Sequence, residues 1–139
     1  MLSIRPAPAR IAVIDDDPTF LELMQDLLGG GEGYEVSTCA SSVDSLEFVK
    51  RAQPDLVMLD LMLGREQAGW AVLELLRSDP ATSSTPVIVC SAAVRALDGQ
   101  TERCNKFAVE VVAKPFDVED LLVAIERLLC VANGGAKRL

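Results

Sequence analysis

The stretch Pro54-Asp55-Leu56-Val57-Met58-Leu59-Asp60 decides the fold. An apolar run this short, opened by a proline and ended by a carboxylate, reads as a buried strand rather than a helix. Asp60 then stands at the strand's carboxyl end. In an open parallel sheet that edge is where ligands bind. Aspartate is also a favoured helix N-cap, so this stretch alone leaves Asp60 open between site residue and cap.

Working outward, Ile11-Ala12-Val13-Ile14 makes a second buried strand that ends on Asp15, Asp16 and Asp17. Pro18 suits the first position of a helix with Asp17 as its N-cap. Phe20, Leu23, Met24, Leu27 and Leu28 recur at helical spacing, and Gly29-Gly30-Gly31 is expected to stop that helix. Tyr34 to Thr38 reads as a weaker, alternating strand. Ser41 or Ser42 then opens a helix through Val43, Leu46 and Val49.

Beyond Asp60, a loop with Gly64 and Gly69 leads to a helix from about Trp70 to Arg77, with Pro80 marking its end. Val87-Ile88-Val89-Cys90 is a strand ending on Ser91, and a modest helix is expected near Leu97 to Lys106. Val109 to Ala113 makes a fifth strand, ending on Lys114-Pro115. Asp117 with Asp120 resembles a capping box for a last helix. Val118, Leu121, Leu122, Ile125, Leu128 and Leu129 form its core face, and Asn133-Gly134-Gly135 ends it.

Strand and helix alternate five times, which implies an α/β domain with a parallel sheet covered on both faces. Carboxyl ends of parallel strands share one edge. Asp15, Asp16, Asp60, Ser91 and Lys114 therefore converge there, whatever their separation along the chain.

Composition narrows the chemistry. The 139 residues suffice for one domain with a sizeable core, here 11–130, flanked by a leader at 1–10 and a tail at 131–139. A net charge of -8 repels phosphate backbones, so nucleic-acid binding by this domain alone is disfavoured. No apolar run has membrane-spanning length and the N-terminus lacks a signal-like apolar core, so no membrane partner and a cytoplasmic location are expected. The chain holds no histidine, which removes histidine-dependent triads. Its four cysteines form no CxxC pair, so they read as reduced, buried thiols rather than zinc ligands.

Three aspartates held together repel one another, and a divalent cation resolves the conflict. Oxygen-only ligands select a hard ion, and a site that keeps waters or admits phosphate oxygens favours Mg2+ over Ca2+. The Ser91 hydroxyl and Lys114 ammonium can both hold a phosphoryl oxygen. Metal, hydroxyl and lysine together would stabilise the charge of a transferring phosphoryl group and leave a carboxylate free to act as nucleophile. Taken singly, Asp15, Asp16 and Ser91 would also fit helix caps, and Lys114 a solvated surface charge.

In order and spacing, Ile11 to Pro18, Pro54 to Asp60, Val87 to Ala92 and Ala113 to Phe116 resemble the response-regulator receiver domain of two-component signalling, a CheY-like fold. The resemblance covers about Ile11 to Leu129. It implies a flavodoxin-like, doubly wound five-stranded sheet of order 2-1-3-4-5. It further implies Asp60 as phosphoacceptor, Asp16 as a direct Mg2+ ligand, Asp15 as a largely water-mediated one, and the carbonyl of Met62 as another. Ser91 would bind the phosphoryl group, and Lys114 would bridge to it ahead of a cis peptide at Pro115. The implied partners are a histidine kinase or phosphotransfer protein upstream and an unidentified protein downstream. A phosphoacceptor of this kind is not a turnover enzyme. With few residues after Leu129, a stand-alone regulator or phosphorelay intermediate is expected.

Two departures stand out. The loop Gly64-Arg65-Glu66-Gln67-Ala68-Gly69 is one residue longer than is usual in the family and lacks its common proline. Val111 replaces the aromatic usually found three residues before the lysine, whose inward swing accompanies activation. Two alternatives stand beside this reading. Asp15-Asp16-Asp17-Pro18-Thr19 also fits the DxDxT motif of a haloacid-dehalogenase-like phosphatase, with Asp15 as nucleophile and Asp17 as acid, though Asp60 would then lack a role. The other is a receiver-shaped adaptor that binds its partner without phosphorylation.

By the resemblance, the side chains two residues after Asp60 and two after Ser91 flank the water that hydrolyses an aspartyl phosphate. Here they are Met62 and Ala93, a thioether that bonds water poorly and a methyl that cannot bond it. Loss of that positioning is expected to slow hydrolysis on the order of tenfold or more. Met62→Asn and Ala93→Glu should each speed decay of the acyl phosphate, followed by loss of radiolabel. If neither does, these positions do not set the lifetime.

Overall fold

Strand β3 (Leu56–Leu59) lies at the centre of the molecule with all four residues buried. The computed structural model describes residues 8–63, 68–91 and 109–132. Around β3 stand β1 (Arg10–Ile14), β2 (Glu35–Cys39), β4 (Val87–Ser91) and β5 (Val109–Ala113). They form one parallel sheet of order β2-β1-β3-β4-β5. Among the described residues the α-helices are α1 (Pro18–Met24), α2 (Ser45–Ala52), α3 (Ala68–Ser78) and α4 (Val118–Ala132).

Side chains alternate across a strand, so a sheet covered on both faces needs apolar residues at every position of its inner strands. Ala12, Ile14, Val57, Leu59, Val87 and Val89 join Val49 of α2 and Val72, Leu73 and Leu76 of α3 in one cluster. The alternate residues Ile11, Val13, Leu56, Met58, Ile88 and Cys90 pack with Leu21 and Met24 of α1 and with Leu121, Ala124, Ile125 and Leu129 of α4. Continuous apolar runs in β1, β3 and β4 are thus the direct record of a doubly wound sheet. Edge strand β2 is only half-buried.

Several local expectations shift. Asp17 caps α1 by accepting from Thr19 N, as read, but the three glycines do not stop the helix. The chain continues as a π-helix over Gln25–Gly31. A glycine stops a helix by taking a left-handed φ, and here only Gly33 does so, at 80°. There Tyr34 N donates to Leu28 O and Gly33 N to Gly29 O, and the chain turns into β2.

Helix α2 starts later than the serines suggested. Ser41 instead builds the preceding turn: its Oγ accepts from Asp44 N, and its carbonyl accepts from the buried Ser45 Oγ at 2.8 Å. Val43 consequently falls outside the helix and is 88% exposed. Gly69 lies inside α3 rather than in the loop before it. Val118, the first residue of α4, is exposed, whereas Ala124 joins the core.

Of the cysteines, Cys90 is buried, Cys39 half-buried and Cys130 exposed, so burial as a class was too broad an expectation. The helix expected near Leu97 to Lys106, the stop at Asn133-Gly134-Gly135, Cys104, Ala93 and the loop at 64–67 lie outside the described residues. Among those described, no helix is long and apolar enough to cross a membrane.

Leu73, fully buried between α3 and the sheet, should lose about 2–5 kcal/mol on substitution by alanine. Val43→Ala should stay within about 0.5 kcal/mol of wild type. Urea unfolding of the two variants checks both the core assignment and the later start of α2.

Candidate functional site

Register builds the site. Ile14 pairs with Leu59 across β1 and β3, so Asp15 and Asp60 leave the sheet side by side, with Asp60 N donating to Ile14 O. Ser91, the last residue of β4, pairs with Ala113 of β5, which sets Lys114 one step beyond. The strand ends thus converge as their sequence positions implied.

Carboxylate oxygens of Asp15, Asp16 and Asp60 lie within 4.8 Å of one another. Asp15 is 1% exposed and Asp60 8%, while Asp16 faces solvent. Each buried carboxylate is tied to its own loop. Asp15 Oδ1 accepts from Asp17 N, and Asp60 Oδ1 accepts from Met62 N, both at 2.9 Å. Their other oxygens face the cation: Lys114 Nζ donates to Asp15 Oδ2 at 2.5 Å and stands 3.6 Å from Asp60 Oδ2.

The electrostatics follow from burial. Desolvation pushes the Asp60 carboxyl above its ordinary range, and the charges of Asp15 and Asp16 add to this, against the opposing pull of Met62 N–H and Lys114. Burial works against the Lys114 ammonium too, but its hydrogen bond to Asp15 and the charges of Asp15 and Asp60 outweigh that and raise its pKa. Lys114 is therefore a cation at neutral pH. The Cys90 thiol, beneath this edge, is pushed up to about 12 by burial. A thiol so far from ionisation is no nucleophile, which leaves Cys90 as core.

Two residues emerge that the sequence pattern treated as packing or turn. A Cβ on Gly69 would stand 2.4 Å from Leu61 Cα and 2.5 Å from Asp60 O. Only glycine lets α3 approach the loop that carries Asp60 and Met62 this closely. Phe20, part of the apolar helical spacing of α1 and packed against the core, also lies beneath the Lys114 ammonium, whose Nζ is 4.0 Å from the ring centroid. Neither signal is visible without the contact partner. Trp70 packs with the α3 side of the core.

The sequence model of the response regulator receiver domain matches residues 11–126. The chain belongs to this family. It is 35% identical over 120 residues to the DNA-binding dual master transcriptional regulator RpaA of Synechocystis sp. (strain ATCC 27184 / PCC 6803 / Kazusa), covering 86% of this chain and 48% of RpaA. The receiver domain thus spans about half the length of the curated relatives it matches.

The CheY-like response regulator receiver domain protein from Methanospirillum hungatei JF-1 has a similar fold, with a TM-score of 0.81 and 24% identity over 93% of this chain and 99% of that one. So does the receiver domain of sensor histidine kinase PA1611 from Pseudomonas aeruginosa PAO1, at 0.75 and 23%, covering 88% and 98%. That structure has a magnesium ion coordinated in its active-site cleft. The flavodoxin-like order 2-1-3-4-5 is therefore shared. The phosphatase alternative draws no support from these likenesses, and Asp17, its acid, is engaged in capping α1.

A carboxyl whose folded pKa exceeds its unfolded one contributes stability that is present below the unfolded value and lost as pH rises through the folded value. In the receiver domain Asp60 is such a group. Asp60→Asn, which keeps the shape without the charge, should therefore melt at a higher temperature than wild type at pH 7 in EDTA. The gap should narrow as pH falls through the carboxylate range, as followed by thermal melts.

Proposed function

We propose that this receiver domain accepts a phosphoryl group on Asp60 from a histidine kinase or phosphotransfer protein and signals through protein contacts. The observation that carries this reading is the Lys114 ammonium held between Asp15 and Asp60 at the edge of the sheet. In the transfer a carboxylate oxygen of Asp60 forms the new bond to phosphorus as the donor's bond breaks. The donor leaves with that bond's electron pair. Lys114 faces the side on which phosphoryl oxygens gain charge, so it stabilises the transferring group without moving far. Ser91, at the neighbouring strand end, would add a hydroxyl. One phosphoryl group is taken up per chain, so Asp60 acts as an acceptor rather than in turnover.

The donor set fits a hard divalent cation: carboxylates of Asp15, Asp16 and Asp60, clustered without histidine or thiolate. These three, with the Met62 carbonyl, would hold Mg2+. When bound, Mg2+ would neutralise the clustered carboxylates and offset charge on phosphoryl oxygens. The Met62 loop is held for this by its N–H to Asp60 and by the close approach of Gly69 to Leu61.

Kinase-side and downstream partners are proteins rather than nucleic acid, in keeping with the net charge of -8. We place the receiver unit at 11–130 and the protein in the cytoplasm. The usual aromatic switch is replaced by Val111, which is exposed on β5. The response to phosphorylation must then run through Lys114 and the strand ends without that swing.

Acetyl phosphate with Mg2+ should place one acid-stable, base-labile phosphoryl group on wild type, read by intact mass, and none on Asp60→Asn. Lys114→Ala should retain Mg2+ binding while labelling falls. Mg2+ should raise the melting temperature by mass action, and Asp16→Ala should weaken that shift. Labelling of Asp60→Asn at the wild-type level would defeat the assignment.

A further inference from the structure

Lys114 is the site group with the longest flexible stem, and an ammonium on four methylenes must be confined before it can serve as a fixed charge. Three groups confine it: Asp15 Oδ2 at 2.5 Å, Asp60 Oδ2 at 3.6 Å, and the ring of Phe20, with its centroid 4.0 Å from Nζ. Phe20 stands in the first turn of α1, which is fixed by the Asp17 cap and Pro18. Phe116, two residues beyond Lys114, meets the Phe20 ring in an edge-to-face arrangement, with centroids 6.0 Å apart and planes at 78°. The ring is thus oriented by groups from both ends of the chain.

We propose that Phe20 is a positioning residue for Lys114, its π face holding the ammonium within reach of Asp60. The chemistry explains why an aromatic stands here. A fourth carboxylate would confine the cation but add to the repulsion among Asp15, Asp16 and Asp60. An aliphatic side chain would add no repulsion but give the ammonium no attraction. The ring face attracts a cation while carrying no net charge, and more strongly where the cation is partly desolvated. Lys114 is so placed, with its side chain 18% exposed.

The consequence for labelling rests on Asp60 as phosphoacceptor, whereas the contact itself is testable without it. The variants are Phe20→Leu, which keeps apolar bulk, Phe20→Tyr, which keeps the ring face, Lys114→Met, and the Phe20→Leu/Lys114→Met double variant. Two quantities are read: the urea midpoint in EDTA, and the rate of acetyl phosphate labelling at saturating Mg2+. Phe20→Leu should slow labelling roughly three- to tenfold and Phe20→Tyr less than about twofold. With Lys114→Met in place, Phe20→Leu should cause little further loss, and the unfolding cycle should be non-additive. Additive effects in both backgrounds, or equal losses for the leucine and tyrosine variants, would overturn the proposal. A wild type that takes no label overturns the Asp60 reading instead. The unfolding cycle then decides the contact, coupling supporting it and additivity overturning it.

Discussion

Like charges crowded where water is scarce set the terms for the rest of this molecule. Asp15, Asp16 and Asp60 bring carboxylate oxygens within 4.8 Å of one another, two of them on nearly buried residues. At an effective dielectric constant of about 20, two unit charges 4 Å apart interact by about 4 kcal/mol. A fold of marginal stability cannot leave several such repulsions unanswered. The answers visible in the structure are the Lys114 ammonium, the N–H groups of Asp17 and Met62, and the exposure of Asp16 to water. Burial, with a smaller part from the charges of Asp15 and Asp16, still leaves the pKa of Asp60 raised. The site is thus held ready for further positive charge.

Such a site needs a scaffold that does not relax. Both faces of the sheet are covered, so β1, β3 and β4 cannot slip without moving two layers of core at once. The carboxyl ends inherit that rigidity: Asp15 N donates to Cys39 O, and Asp60 N to Ile14 O. The loop beyond Asp60 is secured differently. Leu63 N donates to Asp60 O, Ala68 N to Leu63 O and Gly69 N to Leu61 O, while the missing Cβ of Gly69 leaves room for backbone against backbone. Helix α3 and the acidic loop are consequently one mechanical unit.

Lys114 ties the other side of the site to the fold. It leaves β5 beside Ala113, contacts carboxylates at the ends of β1 and β3, and rests on a ring from α1 that is itself braced by Phe116. One side chain therefore joins the edge strand to the centre of the sheet.

Most of the architecture was legible in the chain because a sheet buried on both faces must spell its inner strands as unbroken apolar runs, and parallel strands must gather their carboxyl ends on one edge. Pro54 to Asp60, Ile11 to Asp17 and Val87 to Ser91 each carry that message locally, and β5 has the bounds its sequence suggested. The convergence of Asp15, Asp16, Asp60 and Lys114 follows from the same rule. Other features depend on which partner a residue meets. Gly29 to Gly31 read as a stop because glycine can turn left-handed, but the backbone made that turn at Gly33. Ser41 read as a cap, but its bonds closed a turn that excluded Val43 from α2. Gly69 became indispensable only against Leu61, and Phe20 became part of the site only beneath Lys114, 94 residues away. Periodicity and punctuation act over a few residues and are written in the sequence. Close approach and the orientation of a ring toward a charge arise between segments, so only the tertiary structure decides them.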